Sequence, residues 1–152
     1  MTRAAENAPF LRQLIEQHPE IVAAIANVEA ARTLALAPPD GDVARQLRVM
    51  RARTMLVVAL ADLAGLWPLE RLVGELSAFA DTALDMAIAE AIGGHVPGAP
   101  VQGLAVIALG KHGSRELNYS SDIDPIFIYD PETLPRRSRE EPAEAAVRIV
   151  RR

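Results

Sequence analysis

The chain has 152 residues, half of them hydrophobic and 24% charged, with a net charge of −4. That is room for one ordinary domain, or one plus part of another, with a globular rather than a disordered composition. The acidic balance weighs against a dedicated nucleic-acid binder, which carries a basic face, and the absence of cysteine excludes disulfides and thiolate metal sites. The opening MTRAAENAPF has no apolar signal core. The longest apolar run of the first half, residues 55–61, is too short to span a bilayer. The expectation is a soluble, cytoplasmic protein with no membrane partner.

Taken in order, residues 7–36 read as two short helices parted near His18 and Pro19. Phe10, Leu11, Leu14 and Ile15 share one face at helical spacing, and so do Ile21, Ile25 and Val28. Pro19 fits the first turn of the second helix but not the interior of a continuous one. Pro38-Pro39-Asp40-Gly41 is a linker with strong turn chemistry, and Asp42 is the expected N-cap of the next helix. Residues 42–66 read as one long helix buried along Val43, Leu47, Met50, Thr54, Val57, Val58 and Ala61. Its arginines, Arg45, Arg48, Arg51 and Arg53, form either a solvated face whose stems cover apolar surface or a basic surface for a nucleotide or acidic partner. Trp67-Pro68 breaks the helix. Residues 69–92 then carry the cleanest periodicity of the chain, through Leu69, Leu72, Val73, Leu76, Phe79, Ala80 and Ala83, with Gly93-Gly94 as the expected stop. These two helices are expected to pack as an antiparallel hairpin. The loop 95–100, HVPGAP, is the expected boundary between a helical region, 1–97, and a second domain, 98–152.

The chemistry concentrates in residues 104–130, LAVIALGKHGSRELNYSSDIDPIFIYD. An apolar run fit for a buried strand breaks at Gly110 into a polar loop holding Lys111, His112, Gly113 and Ser114. A second apolar run occupies 123–129, with Asp122 and Asp124 at its start. On a strand both carboxylates would project to one side, about 7 Å apart. A divalent cation removes their mutual repulsion, and Mg²⁺ favours carboxylates combined with substrate phosphates. The Gly113-Ser114 turn offers backbone N–H groups and a hydroxyl for a phosphate. Together the two features read as nucleotidyl transfer.

Each residue also has a plainer reading. An isolated Asp122 would cap a turn after Ser120-Ser121; the pairing with Asp124 behind Gly113-Ser114 favours a metal site. Lys111 and Arg115 either solvate the loop or bind phosphate. His112 has no second ligand at metal spacing and reads as a solvated or loop-packing histidine. Gly110-Lys111 is not a P-loop, because no Ser or Thr comes directly after the lysine. Asn118-Tyr119-Ser120 matches a glycosylation sequon without a secretion signal. Residues 135–138 open a polar segment, and 140–152 read as the start of a helix.

Gly113-Ser114, a spacer and Asp122-Ile123-Asp124 resemble the signature of the DNA polymerase β-like nucleotidyltransferase superfamily. The longer string GKHGSRELNYSSDIDPIF, residues 110–127, is similar to a narrower group, the glutamine synthetase adenylyltransferase/adenylyl-removing enzymes. Glu116-Leu117-Asn118 with Ser121-Asp122-Ile123-Asp124 is more similar to the adenylyl-removing half than to the adenylylating half. Residues 47–66 resemble the same family.

The resemblance implies an α+β fold, with an N-terminal helical segment leading into an incomplete nucleotidyltransferase-type mixed sheet. It implies Asp122 and Asp124 as catalytic metal ligands, and Gly110, Lys111, Gly113, Ser114 and Ser121 as nucleotide and phosphate contacts. Mg²⁺ would be the cofactor, with ATP or ADP and phosphate as substrates. Glutamine synthetase, and a PII-type signalling protein, would be the partners. The implied reaction is phosphorolytic removal of AMP from an adenylylated tyrosine, or its transfer from ATP. The family fold adds a third carboxylate on a neighbouring strand to complete a site for two ions about 3.5–4 Å apart. None of Asp130, Glu132, Glu140, Glu141 or Glu144 lies in a further apolar run. The chain is therefore expected to be an N-terminal fragment with an incomplete site and exposed apolar sheet surface. Two other readings stay open: a module that binds nucleotide or glutamine synthetase without turnover, and a small stand-alone nucleotidyltransferase.

Overall fold

The computed structural model describes residues 8–151. Residue 7, where the first helical reading begins, the rest of the opening MTRAAEN, and Arg152 lie outside the described residues.

Three short helices open the chain: α1 (Pro9–Gln17), α2 (Pro19–Ala24) and α3 (Val28–Leu36). Pro19 sits in the first turn of α2, as its fixed φ favours. The expected second helix is cut in two, because the Asn27 side chain accepts the Ala30 N–H at 3.2 Å and starts a new helix. Phe10, expected on the buried face, is exposed, while Leu11 and Leu14 are buried. Helix α4 (Val43–Leu63) starts where Asp42 Oδ1 accepts the Arg45 N–H at 2.7 Å, and Met50, Thr54, Val57, Val58 and Ala61 are buried along it. Its closest neighbour is α3 rather than the second long helix. Helix α5 (Leu69–His95) runs through Gly93 and Gly94 instead of stopping there. Leu69, its first residue, is exposed and also lies outside the core.

Strands β1 (Leu104–Ala108) and β2 (Pro125–Tyr129) pair antiparallel, with Leu104 opposite Tyr129 and Ala108 opposite Pro125. The one-turn helix α6 (Gly110–Gly113) comes after β1, and α7 (Pro142–Val150) closes the described chain. The class is α+β, as expected. Among the described residues the sheet is this antiparallel pair rather than a mixed sheet. Ile107, Ile126 and Ile128 share one face of the pair and all are exposed.

The chain folds as two compact units, 8–79 with 116–120, and 80–115 with 121–151. The first unit packs α1 to α4 around Ile21, Leu56, Val57 and Val58, joined by Trp67 and Leu72. Arg71 lies over the Trp67 ring at 4.4 Å and also pairs with Glu29. Arg53, one of the helix arginines, binds Glu20 at 3.0 Å. Burial alone would raise the Glu20 pKa; its own backbone N–H, His18 and Arg53 outweigh that and lower it.

The second unit packs Ile92 of α5 against Leu134, Ala145, Ala146 and Ile149. Its loop 131–141 is held by a buried carboxylate. Glu140, with its side chain 4% exposed, accepts from the Arg137 N–H at 3.0 Å, from His95 Nε2 at 2.8 Å and from Arg148 Nη1 at 2.7 Å. The Arg137 N–H foremost, with His95 and Arg148, holds the Glu140 pKa down at about 2 against the opposing effect of burial. Gly103 needs its positive φ of 71° and the absence of a side chain, because a Cβ there would strike the Leu134 backbone.

Two measurements test this packing. Leu56→Ala should lower stability by roughly 2–5 kcal/mol, read by denaturant unfolding monitored through the single tryptophan of the chain, whereas exposed Leu63→Ala should be close to neutral. A carboxylate depressed on folding stabilises above its unfolded pKa and loses that contribution as pH falls toward its folded value. The Glu140 contribution should therefore be full above the ordinary 4.5 and lost on the way to about 2. Unfolding midpoints across that range should show the loss, and Glu140→Gln should flatten it.

Candidate active site

The antiparallel pairing decides where the motif residues go. The exit of β1 and the entry of β2 lie at the same end of the pair, since Ala108 stands opposite Pro125. The turn carrying Gly110 to Ser114 leaves from one strand there, and Asp122 and Asp124 lead into the other. The Leu109 N–H donates to the Asp124 carbonyl at 3.2 Å, extending the ladder one step beyond the strands. Asp124 Oδ2 comes within 4.0 Å of the place a Cβ would occupy on Gly110, whose φ is +55°. A side chain at 110 would be strained by that backbone conformation.

Asp122 and Asp124 are both exposed and precede β2, which starts at Pro125. They are therefore not strand residues, contrary to the expectation from alternation. Pro125 explains the late start: it has no N–H to give and opens the strand, one of the positions a sheet allows proline. No group of three or more His, Cys, Asp or Glu side chains gathers into a metal cluster among the described residues. The donor set at this end of the sheet is a pair of exposed carboxylates.

The turn itself departs from the expectation that Gly113 and Ser114 offer open amides. The Gly113 N–H donates to the Leu109 carbonyl and the Ser114 N–H to the Gly110 carbonyl, each at 3.1 Å. The Ser114 hydroxyl donates to the Lys111 carbonyl at 3.3 Å. The amides of Gly110, Lys111 and His112, at the start of the one-turn helix, are the ones no carbonyl in that turn can reach. Gly113 has a packing reason to be glycine, because a Cβ would lie 2.5 Å from the Ala108 carbonyl oxygen. Lys111 is exposed.

His112 is a loop-packing histidine, with its side chain 1% exposed. Its Nε2–H donates to Asp81 Oδ1 at 2.8 Å, and Arg115 Nη1 donates to Asp81 Oδ2 at 3.0 Å. Arg115 holds φ at +60°, a conformation that costs a residue with a side chain roughly 1–2 kcal/mol. Sequence does not single out Asp81, because helical periodicity places it on the solvated side of α5. The nearby segment 116–120 is anchored in the first unit, where Leu117 is buried and its N–H reaches Ser77 Oγ at 3.4 Å. Asn118 Oδ1 accepts the Ser120 N–H at 3.0 Å, an Asx turn. The Tyr119 phenol is pushed up to about 12, by burial first and by the Asp62 carboxylate second. No helix of the described residues is long and apolar enough to cross a membrane.

The family model described as glutamate-ammonia ligase adenylyltransferase matches residues 2–152, and the chain belongs to that family. Among individual relatives, the chain is 41% identical to the bifunctional glutamine synthetase adenylyltransferase/adenylyl-removing enzyme of Caulobacter vibrioides, over 83% of this chain and 14% of that protein. It is 36% identical to the protein of the same name from Bradyrhizobium diazoefficiens, over 92% of this chain and 15% of that one. With the Rhizobium meliloti protein, again of that name, the identity is 34%, over 95% of this chain and 17% of the relative. The chain thus spans about one sixth of the length of these relatives. No solved structure matches it.

The packing of the turn predicts a paired outcome in thermal unfolding. Gly113→Ala should destabilise by about 1–3 kcal/mol through its clash with Ala108. Gly93→Ala, inside α5 with nothing within 4 Å of the added Cβ, should stabilise by about 0.5–1 kcal/mol.

Proposed function

We propose that this chain supplies the phosphate-holding turn and two metal-binding carboxylates of a Mg²⁺-dependent adenylyl transfer acting on glutamine synthetase. One observation supports this most. The turn after β1 and the Asp-x-Asp segment before β2 emerge at one end of an antiparallel pair, joined by the Leu109–Asp124 backbone bond, with both carboxylates exposed.

The donors suit the ion. Asp122 and Asp124 are hard oxygen ligands, and Mg²⁺ is commonly held by one or two carboxylates with the remaining positions left to water and substrate phosphates. When bound, it neutralises charge on the phosphoryl oxygens and orients the reacting groups.

The other residues divide the work of holding ATP, ADP or phosphate. Lys111 meets a phosphate oxygen through a charge-assisted contact. The amides of Gly110, Lys111 and His112 donate to phosphate oxygens in place of the committed amides of Gly113 and Ser114. Ser121 adds a hydroxyl contact, and Gly113 keeps the turn close against β1.

In the removal direction, an oxygen of phosphate attacks the adenylyl phosphorus. The bond from phosphorus to the tyrosine oxygen breaks, that oxygen leaves and takes a proton, and ADP forms. In the transfer direction the tyrosine oxygen gives up its proton and attacks the α-phosphorus of ATP, the bond from that phosphorus to the bridging oxygen breaks, and pyrophosphate leaves. The Glu116-Leu117-Asn118 triplet with Asp122-Ile123-Asp124 favours removal.

The absence of a three-membered acidic cluster among the described residues favours a second reading beside this one. In it the chain binds nucleotide or glutamine synthetase, and turnover requires groups from outside this stretch.

Calorimetric titration with ADP in Mg²⁺ tests both. Binding should depend on Mg²⁺ and weaken at least about tenfold in Asp122→Asn/Asp124→Asn, since both proposed ligands are lost. Binding that survives in the double variant contradicts the proposal. Mg²⁺-dependent binding without AMP release from adenylylated glutamine synthetase identifies the second reading.

A further inference from the structure

His112 sits inside the motif, yet the proposed chemistry gives its side chain no task. Three observations bear on it. Its ring is buried, with the side chain 1% exposed. Its Nε2–H is spent on Asp81. Its Nδ1 is buried without a hydrogen-bond partner. A buried polar atom left unsatisfied is unfavourable, and a leucine in the same space would avoid it. The ring is therefore kept for the bond it makes at Nε2.

That bond has a clear mechanical effect. Asp81 lies on α5, a long continuous helix, and its two carboxylate oxygens take one donor each from the two sides of the turn: His112 at 2.8 Å and Arg115 at 3.0 Å. Between those residues come Gly113, which has no side chain to hold its place, and Ser114. Arg115 is in a left-handed conformation that the surroundings must enforce. The Arg115 arm is solvent-exposed and weak by itself, so the buried His112 arm carries most of the restraint.

We propose that Asp81 is a positioning residue for the phosphate-holding turn, acting through His112 and Arg115 to hold residues 110–114 beside Asp124. The assignment rests on the functional reading above and adds the device that keeps its turn and its carboxylates in register. Asp81 touches no substrate. It acts by lowering the freedom of the backbone that does.

The test uses the whole chain, with Mg²⁺ and ADP as the probe, and compares Asp81→Ala, Asp81→Asn and His112→Leu. Asp81→Ala should weaken ADP binding by about tenfold or more, as loss of a group that orients a binding element does. It should also speed hydrogen exchange at the amides of residues 113–115 and abolish the single Nε2–H tautomer of His112 in ring ¹⁵N spectra. Asp81→Asn, which keeps an oxygen acceptor for the ring, should restore the tautomer and most of the affinity. His112→Leu preserves the packing and decides the matter if Asp81→Ala does not fold; it should weaken binding as much, and a double variant should be no worse than either single one. Unchanged ADP affinity in folded Asp81→Ala or His112→Leu overturns the proposal while leaving the functional reading intact. A wild-type chain that does not bind ADP with Mg²⁺ overturns the functional reading, and this one with it.

Discussion

The antiparallel register of β1 and β2 is the constraint on which the rest of the candidate site depends. Because Ala108 faces Pro125 and Leu109 bonds the Asp124 backbone, the segment leaving one strand and the segment entering the other must share an end of the sheet. A register slip of one residue would turn every side chain to the opposite face and carry Asp124 away from Gly110. The ladder brings turn and carboxylates to one end of the sheet. It must start at the right pair, and Pro125, unable to donate an N–H, marks that start.

Charge is then distributed by role. Glu140 is buried and fully bonded, with the Arg137 N–H, His95 and Arg148 around it, so it serves the packing of loop and helix. Asp81 is half exposed and has both oxygens engaged by the turn. Asp122 and Asp124 are exposed at the sheet end. Carboxylates that hold structure have their lone pairs committed to protein donors; a carboxylate pair meant for a cation must keep oxygens available. The glycines divide in the same way. Gly113 is required by the Ala108 carbonyl behind it, and Gly110 by its backbone conformation.

Much of this is legible in the sequence because it is local. The Asp42 cap, the buried stripe of α4, the break at Trp67-Pro68 and both apolar strands are written in spacings of a few residues. The misreadings each have a competing local or nonlocal cause. Ile25 and Val28 continue a helical stripe, but Asn27 between them caps a new helix. Gly93 has nothing within 4 Å of an added Cβ, and α5 passes through it and Gly94 at the cost of their flexibility alone. Alternation carries the strand too far, back to Asp122, because periodicity does not register the late start that Pro125 imposes. The Asp81 contact lies 31 residues from His112, and nothing in the pattern of α5 separates that aspartate from its solvated neighbours. Similarly, whether the Gly113 and Ser114 amides are open depends on hydrogen bonds inside a one-turn helix that sequence reads only as a loop.

The proposed function requires residues 110–114 and 121–124 to form one cation-binding, phosphate-directed end of the sheet. Mn²⁺ takes the same oxygen ligands as Mg²⁺ and broadens the amide resonances near it, so a two-dimensional amide spectrum recorded at substoichiometric Mn²⁺ and ADP locates the ion directly. Broadening should centre on both segments at once, with Gly110 and Asp124 among the first to vanish. Broadening centred instead on the acidic stretch around Glu141 and Glu144, or spread evenly over the chain, would contradict the proposed function.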